Sequence, residues 1–227
     1  MLYKIAVTGN ICSGKTSAVK FLSSLPNSCA IYYDQIGHLI YERNFMFLNL
    51  IKTNFHHKNP KIFSNIQTFY ENFERKELGK IVFDKNDKER KSLKTLNALI
   101  NPEMKNLFSL KIKEIESKIK NSSVNGILFV EGAIIIESGS AKIFDEIWMT
   151  VANRTEIERR FMERIRESNR NKITAYNLNM LDQIIETQMK EEEKKKYCDH
   201  VIDTSGDFED TKKIYLNLYN KILTKFN

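Results

Sequence analysis

The segment that most constrains the fold is GNICSGKT at residues 9–16, which matches the pattern GxxxxGK[ST] without a mismatch. The apolar run Tyr3–Thr8 precedes it and is typical of a buried parallel strand, while Ser17–Leu25 has a helical pattern that Pro26 stops. Glycines between a strand and a helix let backbone N–H groups turn inward at the positive end of the helix, where they surround phosphate oxygens. The segment therefore predicts a strand, a phosphate-binding loop and a helix.

Each polar group of this loop has an expected role with a nucleoside triphosphate. The Lys15 ammonium can reach between the β- and γ-phosphates, and the Thr16 hydroxyl can take one Mg²⁺ coordination position. The predicted nucleotide-binding residues are Gly9, Asn10, Ile11, Cys12, Ser13, Gly14, Lys15, Thr16 and Ser17. By itself, the pattern leaves open which acceptor receives the phosphoryl group.

Further short apolar runs alternate with helical patterns along the chain. We predict strands at Ala30–Tyr33, Ile127–Val130, Asp145–Val151 and His200–Asp203. We predict helices at Thr155–Arg166, at Leu181–Lys195 and after the last strand, and a mostly helical stretch from about residue 35 to 120 in which Pro102 marks a helix break or start. This alternation favours an α/β fold with a parallel, doubly wound sheet, into which a helical substrate domain is inserted.

Composition agrees with one α/β unit that carries an insertion. Of the 227 residues, 41% are hydrophobic, and the longest apolar runs are of strand length, so no membrane partner is expected. The net charge is +7, but the lysines are scattered and many have glutamates nearby, as in KEEEKKK at 190–196, which disfavours a nucleic-acid partner. Cys12, Cys29 and Cys198 form no CxxC pattern and favour free thiols in the cytoplasm.

The remaining motifs favour a small-molecule kinase among the users of this loop. No NKxD signature of GTPases lies between the strands, and the third strand, ILFVEG, ends in the single acidic residue Glu131 rather than in the Asp-Glu of motor and AAA-type ATPases. A kinase of small molecules needs only a phosphate cradle, an acceptor pocket with a base, and a mobile lid that carries arginine.

Asp34 is the candidate base. It follows the second predicted strand, at the carboxyl edge where ligands bind in open α/β sheets, and its carboxylate can accept the proton of a substrate hydroxyl. Alternatively, Asp34 caps a helix that begins at Gln35.

The segment RRFMERIRESNRNK at 159–172 supplies the lid candidates. Arg160 and Arg164 lie four residues apart on one predicted helical face, and Arg166 and Arg170 follow toward a polar loop. The alternative is a solvated face with local ion pairs to the glutamates Glu158, Glu163 and Glu167.

The order of these features resembles the dephospho-CoA kinase family over nearly the whole chain. The family patterns TGGIGSGKS and R-x-x-L-x-x-I-V-F correspond to TGNICSGKT at 8–16 and RKELGKIVF at 75–83. The other matches, in chain order, are YYDQIGH at 32–38, LNALINP at 96–102, EGAIIIE at 131–137, Arg160 with Arg164, Gln188, and CDHVIDTSG at 198–206. The departures from the family pattern are Asn10 and Cys12 for two glycines, Tyr32 for Asp, Asn101 for His, and Thr204 for Asn.

The resemblance implies a cytoplasmic kinase that phosphorylates the ribose 3′-hydroxyl of dephospho-CoA with ATP and Mg²⁺, giving CoA and ADP in the last step of coenzyme A biosynthesis. It implies Asp34, Lys15 and Arg164 as catalytic residues and Thr16 as the metal ligand. The implied substrate-binding residues are Asp34, His38, Arg75 and Glu131, and the implied lid residues are Arg160, Arg166 and Arg170. For His38, a purely structural role is an alternative of equal weight to substrate binding.

The expected organisation is a nucleotide-binding core at residues 1–34 and 126–227, a helical CoA subdomain at about 35–120 and a lid at about 164–180, in a monomer or weak homo-oligomer. Two alternatives stay open. One is another P-loop kinase acting on a nucleotide or small metabolite. The other is a P-loop regulatory or nucleic-acid-binding NTPase, which only the +7 charge supports.

Overall fold

The computed structural model describes residues 1–63, 73–84, 86–87, 89–122, 124–167 and 175–226, with the backbone alone at residues 43 and 175–179. The chain divides into two compact units. The first unit consists of Met1–Tyr33 and Glu114–Asn227, and the second unit consists of Asp34–Lys113.

The first unit is built on a five-stranded sheet in which every strand pair is parallel. The strands are β1 (Leu2–Thr8), β2 (Ser28–Tyr32), β3 (Gly126–Glu131), β4 (Glu146–Val151) and β5 (His200–Asp203), in the order β2-β3-β1-β4-β5. Because all strands run the same way, their carboxyl ends meet at one edge, which the loop after β1 shares. The predicted parallel, doubly wound sheet is confirmed, with small shifts in bounds such as Ser28–Tyr32 for the second strand.

Helices connect and follow the strands. They are α1 (Lys15–Ser23), α2 (Tyr33–Arg43), α3 (Phe45–Phe55), α4 (Arg75–Val82), α5 (Lys91–Ser122), α6 (Arg154–Glu167), α7 (Ala175–Thr187), α8 (Glu191–Lys195) and α9 (Phe208–Leu223). Short 3₁₀ turns lie at Pro60–Ile62, Ala141–Ile143 and Thr224–Phe226. None of the helices in the described ranges has the length and apolar character that a bilayer span requires.

The core of the first unit packs α1 and α9 against the sheet. Side chains of β1 and β3, among them Ile5, Val7 and Phe129, are fully buried and contact Ala18, Val19 and Leu22 of α1 and Tyr215 and Ile222 of α9. Trp148 of β4 is also fully buried in this cluster, as its apolar strand predicts. Because β1 lies between β3 and β4, the end of β1 and the loop that follows it rest on the most buried part of the sheet.

The second unit is helical in its described residues. Buried side chains come from α2 and α3 (Ile36, Ile40, Phe47, Leu48, Ile51, Phe55), from α4 (Leu78, Val82) and from α5 (Leu96, Met104, Phe108). Their spacing of three to four residues places one apolar face of each helix in the core. The helical pattern predicted for this stretch is thus confirmed where the structure describes it.

Two details of the predicted helices are wrong. Pro102 neither breaks nor starts a helix, because it lies inside the 32-residue α5, where buried side chains precede and follow it. The helix predicted at Leu181–Lys195 is two helices, α7 and α8, separated at Gln188–Lys190. The gap has a physical cause: the Glu137 carboxylate accepts a hydrogen bond from the Met189 N–H, and Lys190 is in an extended conformation.

Candidate active site

The phosphate loop follows β1, and its two glycines have geometric reasons to be glycine. Gly9 has a φ of 143°, and a Cβ there would lie 2.3 Å from the Thr150 carbonyl oxygen at the end of β4. Gly14 has a left-handed φ of 88° at the N-cap of α1, with Thr204 directly against it. A side chain at Gly9 would therefore require the loop or β4 to shift, and a side chain at Gly14 would be strained by its φ and would press on Thr204.

Hydrogen bonds within the loop and to β4 hold its shape. The buried Lys15 side chain donates from Nζ to the Asn10 carbonyl oxygen at 2.8 Å, and the Ser13 N–H donates to the same oxygen at 3.2 Å. The hydroxyls of Ser13 and Thr150 are hydrogen-bonded at 2.8 Å. The loop thus encloses the Lys15 ammonium next to the first turn of α1, whose leading N–H groups have no partner within the helix and can receive an anion.

Three cationic side chains act on the loop at Cys12. Burial raises the pKa of the Cys12 thiol, and the charges of Arg164, Lys15 and Arg160 oppose that rise. The charges of the predicted catalytic residues Lys15 and Arg164 therefore both act at Cys12 of the phosphate loop. A concentration of positive charge at a phosphate loop suits a bound triphosphate and the charge that develops on it during transfer.

The arginines of α6 differ in their surroundings. Arg164 and Arg166 are exposed, whereas Arg160 is only partly exposed and donates to the Cys12 carbonyl oxygen of the phosphate loop at 3.2 Å. Local ion pairs form on this helix, as the alternative interpretation expected: Glu158 pairs with Arg154, and Glu163 pairs with Arg159. Arg160 pairs with Glu156. Arg170 and the other residues of 168–174, within the segment predicted as the lid, lie outside the described residues.

Glu131 ends β3 at the carboxyl edge of the sheet. It is 7% exposed and lies in register with Val7 of β1 and Tyr32 of β2. Burial, and after it the Glu131 carboxylate, raises the pKa of the Tyr32 hydroxyl. Tyr32, which replaces an acidic residue of the family pattern, therefore stays neutral and leaves Glu131 as the carboxylate of this strand pair.

In the second unit, three predicted substrate residues involve α2. Asp34 is exposed in the first turn of this helix, which begins at Tyr33, so the predicted role as N-cap of a helix starting at Gln35 is wrong. His38 lies one turn later on the same face. The Arg75 guanidinium of α4 contacts the His38 ring at 2.7 Å from Nη1 to Nδ1, and it lies 4.9 Å from the centroid of the Tyr41 ring. His38 and Arg75 are thus brought together.

Several residues at the loop were not predicted as part of the site. The Gln188 Oε1 accepts a hydrogen bond from the Ile11 N–H at 3.3 Å, and the Thr204 hydroxyl contacts the Ser13 carbonyl oxygen at 2.9 Å. Thr150 lies at the end of β4, and Thr204 lies just past the end of β5. The sequence could have indicated a role for both residues through this position at the carboxyl edge of the sheet.

Lys194 differs from its neighbours in the charged run KEEEKKK. The sequence indicates local matching of lysine by glutamate in this run, and Lys195 does pair with Glu191 and Glu192. Lys194, however, is fully buried, donates from Nζ to the Ala133 carbonyl oxygen at 2.8 Å and pairs with Glu137 at 3.0 Å. Glu137 also accepts from the Met189 N–H, so this pair fixes the residue next to Gln188.

Comparison with known proteins shows to which family this chain belongs. A sequence model of the family described as dephospho-CoA kinase matches residues 3–210. The chain belongs to the dephospho-CoA kinase family. The dephospho-CoA kinase of Carboxydothermus hydrogenoformans is 30% identical over 226 residues, covering 96% of this chain and 93% of the relative. That of Aquifex aeolicus is 26% identical over 220 residues, covering 96% of this chain and 97% of the relative.

A solved structure agrees on the fold. The structure described as dephospho-CoA kinase from Campylobacter jejuni superposes with a TM-score of 0.65 at 22% identity and covers 100% of both chains. As a member of the dephospho-CoA kinase family, the chain is a kinase of the transferase class with ATP as co-substrate.

Proposed function

We propose that this chain transfers the γ-phosphoryl group of ATP to the ribose 3′-hydroxyl of dephospho-CoA, giving CoA and ADP as the last step of coenzyme A biosynthesis. The observation that carries the proposal is the phosphate loop, with Lys15 enclosed and Arg164 near it, in a chain that the family model matches over residues 3–210. Phosphoryl transfer depends mainly on positioning and on neutralising charge, which is what these groups can do.

The loop residues Gly9–Ser17 would hold the ATP phosphates through backbone N–H groups, and Lys15 would move from the Asn10 carbonyl oxygen to the β- and γ-phosphates. Arg164 would neutralise charge on the transferring group, aided by Arg166 and by Arg170 of the lid at about 164–180. Arg164 is exposed and therefore accessible to a ligand, and its charge already acts at the loop.

Thr16 would hold Mg²⁺. It is exposed in the first turn of α1, and a hydroxyl oxygen is a donor that this hard cation accepts beside phosphate oxygens. When bound, Mg²⁺ would supply positive charge that offsets the negative charge of the phosphates. Glu131, buried at the end of β3, would orient polar groups at the same sheet edge.

The second unit would supply the acceptor side. Asp34 would take the proton of the 3′-hydroxyl, since its exposed carboxylate stands in the first turn of α2. His38 and Arg75 would bind the acceptor, and the guanidinium is suited to a phosphate of dephospho-CoA. In this proposal residues 1–34 and 126–227 are the nucleotide-binding core, and residues from about 35 to 120 are the acceptor subdomain.

We further infer a cytoplasmic enzyme that acts on a small molecule without a nucleic-acid or membrane partner. The three cysteines are free thiols, which supports a reducing compartment.

The base assignment is tested by Asp34→Asn. The amide cannot accept a proton, so kcat with dephospho-CoA should fall about 10²- to 10⁴-fold, while ADP affinity stays unchanged. ADP formation with saturating ATP measures the first quantity, and calorimetry measures the second. Glu42→Gln removes another exposed carboxylate from α2 and should keep normal turnover. Normal turnover of Asp34→Asn would remove Asp34 from the role.

The phosphate loop is tested by Lys15→Ala, with Lys20→Ala on the exposed face of α1 as the matched control. Loss of a charge-assisted hydrogen bond to phosphate should weaken ATP binding by about tenfold or more. Undiminished ATP affinity and rate in Lys15→Ala would contradict the assignment.

A panel of nucleoside, nucleotide and pantetheine acceptors, compared with dephospho-CoA in the same assay of ADP formation, tests the identity of the acceptor.

A further inference from the structure

The Arg160 guanidinium is engaged almost completely by the protein. Its Nη1 donates to the Cys12 carbonyl oxygen at 3.2 Å and to the Thr204 Oγ1 at 3.0 Å. Its Nη2 donates to the Thr204 carbonyl oxygen at 2.5 Å, and its Nε donates to Glu156 at 2.8 Å. Four of the five N–H donors of a guanidinium are thereby used. Little donor capacity is left for a phosphoryl group.

Thr204 completes this contact from the other side of the loop. It is 5% exposed, and its hydroxyl lies 2.9 Å from the Ser13 carbonyl oxygen and 3.1 Å from the Val151 carbonyl oxygen. The Thr204 N–H donates to the same Val151 oxygen at 2.8 Å. The Arg160–Thr204 clamp, as we name this pair, therefore ties together the phosphate loop, the end of β4 and the turn after β5.

Because the clamp holds carbonyl groups of the loop, it also sets the direction in which the loop's N–H groups point. A trans peptide is planar, with its C=O and N–H pointing in opposite directions. When Thr204 holds the Ser13 carbonyl oxygen, the Gly14 N–H must point to the opposite side. Thr204 also packs against Gly14, where an added Cβ would lie 3.2 Å from Oγ1. The clamp thus fixes the orientation of the peptide that enters α1.

We propose that Arg160 is a positioning residue, which acts with Thr204 to orient the phosphate loop before ATP binds, and that it does not contact the transferring phosphoryl group. The inference rests on the proposed function for the identity of the nucleotide and leaves Arg164 as the arginine for charge neutralisation. It separates two arginines that the sequence pattern treats as a pair.

The experiment compares Arg160→Lys, Arg160→Gln and Thr204→Val with one control and one conservative variant. The control Arg154→Gln removes an exposed arginine of the same helix that pairs with Glu158 and Asp182 rather than with Glu156. The conservative variant Thr204→Ser keeps the hydroxyl. The readouts are the Kd of Mg·ADP by calorimetry, KM for ATP, KM for dephospho-CoA and kcat. Thermal unfolding of each variant sets the temperature at which all of them are folded.

A lysine keeps the charge, but its single nitrogen cannot replace Nη1, Nη2 and Nε together, so it cannot hold Cys12, the Thr204 carbonyl oxygen and Glu156 at once. Arg160→Lys should therefore resemble Arg160→Gln, with Kd for Mg·ADP and KM for ATP raised by about 10- to 100-fold and KM for dephospho-CoA within about twofold of normal. Thr204→Val should weaken Mg·ADP binding in the same direction, and combining it with Arg160→Gln should add little, because both changes open one clamp. The control Arg154→Gln should bind Mg·ADP normally, and Thr204→Ser should recover the affinity that Thr204→Val loses.

Normal Mg·ADP affinity in Arg160→Lys, or a loss confined to kcat, would overturn the proposal and place Arg160 on the transferring group. Additive effects in the double variant would overturn the coupling to Thr204. The Mg·ADP measurement needs no acceptor, so it tests the clamp even if dephospho-CoA turns out not to be the substrate.

Discussion

Replacing Glu146 with glutamine tests how the amino-terminal end of β4 is stabilised. The phosphate loop lies at the other end of that strand, beside Thr150. Glu146 begins β4 and is 8% exposed. Its Oε1 accepts hydrogen bonds from the Tyr3 hydroxyl at 3.0 Å and from Lys225 Nζ at 2.5 Å, and its Oε2 accepts one from Trp148 Nε1 at 2.7 Å. Glutamine keeps the volume but turns one acceptor oxygen into a donor.

The expected loss follows from these contacts. Whichever way the amide turns, a donor of Glu146→Gln faces a donor of Trp148 or Lys225, and one hydrogen bond in a buried network is lost, at a cost of about 1–3 kcal/mol. The ion pair with Lys225 adds no more than about 1 kcal/mol, since the Lys225 side chain is 48% exposed. The free energy of unfolding should therefore fall by about 1–4 kcal/mol, which lowers Tm by about 2–16 °C in a chain of this size.

The pH dependence has a defined sign. Burial raises the pKa of Glu146, but hydrogen bonds from Lys225, Trp148 and Tyr3 outweigh burial and leave that pKa below its ordinary value. A carboxyl with a lowered pKa contributes stability above its unfolded-state pKa, and this stability is lost as the pH falls through the folded-state pKa. The stability gap between the native chain and Glu146→Gln should thus be full at about pH 7 and shrink below about pH 4.3.

Urea unfolding across this pH range measures the gap, and Glu209→Gln is the matched control. Glu209 is an exposed carboxylate that pairs with Lys212 on α9, so its loss should change stability by less than about 1 kcal/mol. A Glu146→Gln protein as stable as this control at about pH 7 would refute the reasoning, and so would a gap that stays constant into acid.

Two further predictions concern the phosphate loop and the buried lysine. Gly9→Ala would place a Cβ 2.3 Å from the Thr150 carbonyl oxygen, so the loop must shift, and turnover should fall by about 10²-fold. The control Gly79→Ala has open space around the added Cβ, so calorimetry should show unchanged Mg·ADP affinity. Lys194→Met should lower the free energy of unfolding by about 1–3 kcal/mol, because the Ala133 carbonyl and Glu137 lose their donor, while Lys195→Met at the surface should cost less than about 1 kcal/mol; equal losses in denaturant unfolding would contradict the structural role of Lys194.

Local pattern was a good guide wherever one short segment carries its own physical reason. Buried parallel strands are continuous apolar runs, and the strand predicted at Ile127–Val130 lies within one residue of β3 at each end. The strand predicted at His200–Asp203 matches β5, although only Ile202 of it is buried. The glycines of GNICSGKT predicted a tight loop between a strand and a helix, and Gly9 and Gly14 take positive φ values there. Pro102 shows the limit of such rules, since α5 continues through it when packing on both sides favours the helix.

Side-chain roles depended on contacts that no local pattern records. Arg160 and Arg164 are equivalent by helical spacing, yet Arg160 contacts Cys12, which is 148 positions away along the chain, and Arg164 stays exposed. Lys194 and Lys195 are neighbours in a charged run, yet one is fully buried and the other forms surface pairs.

The sequence by itself determined the phosphate loop, the parallel sheet and the helical character of the insertion, because glycine conformation, apolar runs and helical spacing act over a few residues. Only the tertiary structure decided which arginine is held by the loop, which lysine is buried and where α7 ends. Those outcomes depend on which donors and acceptors the folded sheet brings together from distant parts of the chain.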